Sequence, residues 1–172
     1  VKGVATGDMG VSRDGSAKDS WESGMELHAK YTLFSEGTRG SLSKFLIENF
    51  NLAENSDYQK YAIGLKELWE INEENFDDGL VEHSMGWPLS DETKGGSFLY
   101  HFDKNLVSIG YVIHLNYTNP YVSPFDEFQQ FKTHPSVKKV LKGGKRISYG
   151  ARAITTGGYQ SVPKLYFPGG AI

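Results

Sequence analysis

Two short stretches of this chain pair chemistry-bearing groups with unusually bare backbone. Gly95 and Gly96 sit between the polar run 91–94 and the apolar run 97–100. Two residues without Cβ can serve a hairpin turn that needs positive φ, or they can leave an N–H and a C=O uncovered for a flat ligand. Glu36 and Gly37 follow an alternating apolar segment and precede a helix, which sets an acidic side chain and free amides above a sheet edge, a common ligand position in open α/β sheets. A third candidate, Lys142-Gly143-Gly144-Lys145-Arg146, lacks the spacing of a phosphate-binding loop. It reads as a helix end closed by glycine, with cations at the negative end of the dipole.

Other chemistries find little support. No G-x-S-x-G elbow is present, and His28, His83, His101, His114 and His134 are scattered without H-E-x-x-H spacing. The histidines that fall in strands are expected to fill sheet faces. The acidic cluster Glu67, Glu70, Glu73, Glu74, Asp77 and Asp78 could pair carboxylates for acid–base work, but at a strand end it reads as a solvated surface. With 18 basic and 21 acidic side chains the net charge is -3, so the positive field that draws nucleic acid is missing. Cysteine is absent, which excludes disulfides and thiolate metal sites within these residues. No apolar run reaches the roughly 20 residues of a spanning helix.

The elements that must position these residues follow from periodicity. Residues 1–5 and 9–12 are β-prone, and 13–16 supply turn chemistry, so the opening reads as a hairpin with a charged loop. Leu27, Ala29, Tyr31 and Leu33 alternate with polar neighbours, predicting a strand with one well-buried face. A glycine-bracketed turn over 35–40 leads to a helix from Ser41 with Leu42, Phe45, Leu46 and Phe50 on one side.

After a polar loop at 51–57, Tyr61, Ile63, Leu65 and Trp69 share one face of a long strand. Val107, Ile109, Tyr111, Ile113 and Leu115 share one face of another, with a third at 97–102 between them, predicting an antiparallel sheet. A helical turn over 72–76 and a hairpin closed at 77–79 are expected. Ser123-Pro124 opens a helix carrying Phe125, Phe128 and Phe131, another follows Pro135, and 145–154 returns to strand. Three Gly-Gly pairs and two prolines punctuate 143–170, forcing turns or close approaches there. The ends read as those of an excised piece.

The segments GWPLSDETKGGSFLYH (86–101), LVSIGYVIHLNYTNPYVSPFDEFQQFKTHPSV (106–137) and GGKRISYGARAITTGGYQSVPKLYFPGG (143–170) closely resemble the middle of the electron transfer flavoprotein-ubiquinone oxidoreductase family, and the resemblance covers nearly the whole chain. It implies an α+β and α/β fold made of part of a glutathione-reductase-like FAD domain (1–50), an antiparallel-sheet ubiquinone-binding domain with flanking helices (51–150), and a return into the FAD domain (151–172). It implies FAD near Glu36 and Gly37, and ubiquinone contact at Gly95 and Gly96. Glu-Gly stands here where related flavoenzymes more often carry Asp-Gly. The family also uses a 4Fe-4S cluster, takes electrons from electron transfer flavoprotein, and is a monotopic protein of the mitochondrial inner membrane or a bacterial counterpart. The G-x-G-x-x-G fingerprint and the cluster cysteines do not occur in this chain, so the isolated piece is expected to have little activity. Competing expectations are a geranylgeranyl-reductase-type flavin enzyme and a non-enzymatic β-rich binding module.

Overall fold

The structure, a computed structural model, describes residues 1–172. It divides into two compact units, Tyr58–Ser161 and a second made of Val1–Asp57 with Val162–Ile172. Residues 51–57 and 151–161 therefore fall outside the expected boundaries at 50 and 150. The long strand at 145–155 continues past residue 150, and the turn beyond it is tied down by Gln59, whose Oε1 accepts from Gly157 N at 2.8 Å.

The 58–161 unit is a five-stranded antiparallel sheet with helices on one face. Its strands are β6 (Tyr61–Glu70), β7 (Val81–Met85), β8 (Gly95–Phe102), β9 (Leu106–His114) and β10 (Lys145–Thr155), in spatial order β10-β6-β9-β8-β7. Side chains alternate between sheet faces, so the odd-numbered β9 residues Val107, Ile109, Tyr111 and Ile113 all point to one side, and each is completely buried. They pack against α2 (Pro124–Phe131) and α3 (Pro135–Leu141) through Phe128, Phe131, Val137 and Leu141. The Tyr111 ring lies 5.1 Å from that of Phe131. Ser123 caps α2 by accepting from Asp126 N, with Pro124 in the first turn, as its sequence predicts. Phe125 departs from the expected apolar stripe and is more than half exposed, because Phe128 and Phe131 already fill the space over Tyr111.

The expected hairpin at 77–79 does not form. β6 pairs with β9 and β10, whereas the strand after Gly79 is β7, which pairs only with β8 at the sheet edge. Gly79 instead turns the chain at φ +75°. β7 has no strong periodic signal, since all of its residues are exposed. At the other edge, β10 follows a turn where Gly143 adopts φ +76°, in agreement with a glycine-closed helix end.

The other unit contains β1 (Gly3–Ala5), β2 (Met9–Val11), β3 (Ala17–Glu22), β4 (Glu26–His28), β5 (Thr32–Leu33), α1 (Ser41–Asn49), β11 (Tyr166–Phe167) and β12 (Gly170–Ala171). The charged loop at 13–16 does close a hairpin, between β2 and β3, while β1 pairs with β4. A single strand with a buried face over 27–33 is not formed. The segment breaks into β4 and β5, and Leu27, Tyr31 and Leu33 remain largely exposed because no layer of this unit packs on them. β12 runs parallel to β5 and brings Phe167 beside Leu46 and Leu52, with Phe50 stacked on Phe167 at 5.0 Å.

Truncating Ile109 to Ala deletes buried methyl groups at the centre of the larger sheet. The expected cost is about 3 kcal/mol, read as a lower urea midpoint at unchanged slope.

Candidate functional site

Gly95 and Gly96 are the first residues of β8, and neither has positive φ, so the turn reading of this doublet is excluded. What requires glycine is close approach of neighbouring strands. A Cβ on Gly95 would lie 2.3 Å from Leu89 Cδ1 and 2.6 Å from the Val112 carbonyl oxygen. One on Gly96 would lie 2.6 Å from the Ser84 carbonyl oxygen. Gly96 is flanked by Met85 on β7 and Val112 on β9, and the Gly95 carbonyl accepts from Gly86 N at 3.3 Å. Both glycines are half-buried, so some of their backbone surface remains open.

Cavities lie on both faces of the sheet near this doublet. On the helix-covered face, a cavity of about 250 Å³ opens between the β7–β8 edge and the turn from α2 to α3, and it includes Ser84 and Ser97, the cross-strand pair next to Gly96. On the opposite face, a more apolar groove of about 500 Å³ runs over Gly64 and Gly150 between Phe98, Val112, Leu68 and Ile154. Beside Ser97, the Tyr111 hydroxyl donates to the Gly86 carbonyl at 2.7 Å. Burial pushes the Tyr111 hydroxyl up to about 12, so it stays a donor at any ordinary pH.

The α2–β6–β10 junction contains a feature that one-dimensional reading missed. Glu67, expected in a solvated acidic cluster, is only 3% exposed. Its oxygens accept from Lys132 Nζ at 2.9 Å, Arg146 Nη1 at 3.0 Å and Trp69 Nε1 at 2.8 Å. Burial alone would push this carboxyl up, but the bonds from Lys132, Trp69 and Arg146 outweigh it and hold Glu67 below its ordinary 4.5. Lys132 also lies over the Phe128 ring at 5.0 Å and the Trp69 ring at 5.6 Å. His101, by contrast, is the sheet-filling histidine that its sequence context predicts. Its Nδ1 accepts from Asp77 N at 3.0 Å, and burial lowers its basicity.

Glu36 holds the N-terminus of α1. Gly40 occupies the N-cap position and has no side chain to offer, and the Glu36 carboxylate takes its place, accepting from Leu42 N at 3.2 Å and from Ser43 N and Oγ at 2.6 and 2.7 Å. The Ser43 bond is the main cause that lowers the Glu36 carboxyl. These amides are the ones a phosphate would seek at a helix end, and they already hold an anion. Gly37 has φ +80° with open space where a Cβ would stand. For a flavin dinucleotide, then, this chain offers bare backbone at Gly37 rather than a helix end or a carboxylate. No group of His, Cys, Asp and Glu here could hold a metal ion, and an iron–sulfur cluster does not fit these residues.

An antiparallel sheet layered on helices on one face, with a cavity on either side of it, is an α+β domain. Residues 61–154, the span from β6 to β10, match the family described as "ETF-QO, ubiquinone-binding". The chain belongs to the electron transfer flavoprotein-ubiquinone oxidoreductase family. It is 56% identical over 173 residues to the electron transfer flavoprotein-ubiquinone oxidoreductase of Pseudomonas aeruginosa, covering 100% of this chain and 31% of that protein. To the mitochondrial human protein of the same name it is 55% identical over 174 residues, covering 100% of this chain and 28% of its relative. The Dictyostelium discoideum protein is 54% identical, with 28% of its length covered. The chain thus spans less than a third of the relatives it matches. A triple mutant of the flavin-dependent brominase Bmp2 aligns with a TM-score of 0.49 at 13% identity, over 88% of this chain and 38% of that one.

Replacing Glu67 with Gln leaves Lys132 and Arg146 facing a neutral group. The expected cost is about 2 kcal/mol, below the roughly 3–5 of a fully buried pair because half-exposed Arg146 can rehydrate. Since the native carboxyl is lowered, its contribution is complete above the ordinary glutamate value of 4.5 and is lost as pH falls through the lower native value. Urea titrations of the two proteins should therefore differ at neutral pH and converge in acid.

Proposed function

We propose that this chain is the quinone-binding part, with an adjoining portion of the flavin-binding part, of an enzyme that passes electrons from reduced electron transfer flavoprotein to ubiquinone. The observation that carries the reading is the coincidence of the ubiquinone-binding family match, 61–154, with the sheet that holds Gly95, Gly96 and both cavities. The names of relatives above 50% identity support the same reaction. The unit made of Val1–Asp57 and Val162–Ile172 is proposed as part of a glutathione-reductase-like FAD domain, with Gly37 as a backbone contact and Glu36 acting through α1. Exposed Leu27, Tyr31, Leu33 and Phe45 on that unit fit a surface that further protein covers.

FAD, when bound, supplies the electron transfer, and a 4Fe-4S cluster carried outside these residues serves the same chemistry in the longer protein. What this chain's residues do is seat the quinone. Gly95 and Gly96 let a ring come up to the main chain, and the apolar walls exclude water from its face. We propose a monotopic enzyme of the mitochondrial inner membrane or its bacterial counterpart; the mitochondrial names of two relatives and the bacterial source of a third support the compartment. No helix is long and apolar enough to cross a membrane.

Changing Gly96 to Ala in the full-length protein moves a ring off the backbone and nudges β7 at the Ser84 carbonyl. We expect quinone reduction to fall by about tenfold or more, as displacements near 1 Å at a reacting centre do, with flavin content and reduction by electron transfer flavoprotein within twofold of the parent. Unchanged quinone turnover would remove the assignment.

A further inference from the structure

An open sheet ends on two edge strands, and each shows unpaired N–H and C=O groups that accept a further strand unless something blunts them. The two edges of the larger sheet differ in this respect. β10 carries a bulge between Arg146 and Ser148 and the cations Lys145, Arg146 and Arg152. β7 has neither device. Its register with β8 runs unbroken from Val81 to Met85, it contains no lysine, arginine or proline, and Glu82 is its one acidic residue. Bonds at its two ends set the phase of the ladder, His101 N donating to the Leu80 carbonyl at 2.9 Å and Gly86 N to the Gly95 carbonyl at 3.3 Å. Ladder bonds recur at every second residue of an antiparallel pair, so Glu82 and Ser84 turn theirs toward β8. The main-chain groups of Val81, His83 and Met85 therefore point away from the sheet. No strand of this chain takes them.

The side chains along this edge suit a strand as well. Glu82 pairs with Leu99 of the helix-covered core, so Glu82 and Ser84 stand on that face and Val81, His83 and Met85 on the other. Val81 is 58% and Met85 89% exposed. The Ser84 and Ser97 hydroxyls bond to each other, and beside this hydroxyl pair the cavity of about 250 Å³ is walled by Trp87, Phe131 and Val137. A strand laid along β7 sends every second side chain over that cavity and sets the alternate ones against Val81 and Met85. In such additions the main chain supplies adhesion and the alternate pockets supply selectivity. We propose that the free edge of β7 is completed by an extended segment of the longer protein outside these 172 residues, with apolar side chains directed at the cavity. The proposal rests on reading this chain as part of an electron transfer flavoprotein-ubiquinone oxidoreductase. The Pseudomonas aeruginosa relative is covered over 31% of its length, so more than two-thirds of such a polypeptide is there to supply the segment. A second copy paired through its own β7 would bring only Glu82 and Ser84 to the cavity, a charge and a hydroxyl where apolar groups fit.

The test uses the full-length flavin-loaded protein. Amide hydrogen exchange at single-residue resolution should find Val81, His83 and Met85 slowed about a hundredfold or more relative to an open peptide, independently of protein concentration. Val81→p-benzoylphenylalanine, at an exposed position at the opposite end of β7 from the glycine doublet, reports the occupant. On irradiation it should join to a peptide outside residues 1–172 of the same molecule. Exchange of the three amides at open-peptide rates overturns the proposal, and so does a link that falls within 1–172. Protection lost on dilution, together with photolinked dimers, assigns the edge to a second copy and overturns it as well. Quinone reduction is assayed on the unmodified protein. Its absence beside slow exchange and a link to an outside segment removes the quinone reading and leaves the strand pairing in place.

Discussion

The larger unit depends on how closely three strands meet where β8 begins. At Gly95 and Gly96 the backbones of β7, β8 and β9 come so near that a Cβ would strike a carbonyl oxygen on either side. That approach sets Ser84 opposite Ser97 and brings the Gly86 turn within reach of the Tyr111 hydroxyl. Any side chain at these positions would push the neighbouring strands apart.

A buried charge fixes the other side. Helices stay on a sheet through their apolar faces, but such contacts are non-directional and tolerate sliding. Glu67 supplies direction. By holding Lys132 at the end of α2 and Arg146 at the start of β10, it ties a helix and an edge strand to the middle of β6. Phe131 and His134, which bound the cavity, are neighbours of Lys132 in the chain, so the geometry of the cavity wall follows from a carboxylate on another strand.

Much of this was legible beforehand where the physics is local. The alternation in β6 and β9, the Ser-Pro start of α2 and the glycine close of α3 are all written in residues within a few positions of one another. Elements that rest on distant partners were not. Glu67 looked like one of six surface acids because its cationic partners are 65 and 79 residues away. β7 carries no buried face and so no period, and the apolar alternation over 27–33 promised a burial that its own unit does not provide. The doublet at 95 and 96 was visible as bare backbone, yet its cause, strand approach rather than a left-handed turn, required the register. Ser84 and Ser97 carry no signal in one dimension, since only the β7–β8 ladder makes them neighbours.

Family membership gives these details a chemical setting, because the matched span contains the doublet, the hydroxyl pair and the clamp at Glu67. A quinone ring has two needs, apolar contact for its faces and a donor for its oxygens, and the seat proposed at the start of β8 is judged against both. The most direct test is an electron-density map of the full-length protein with a short-chain ubiquinone bound. The account predicts the ring against the main chain of Gly95 and Gly96. A ring bound elsewhere, with this corner of the sheet unvisited, would contradict it.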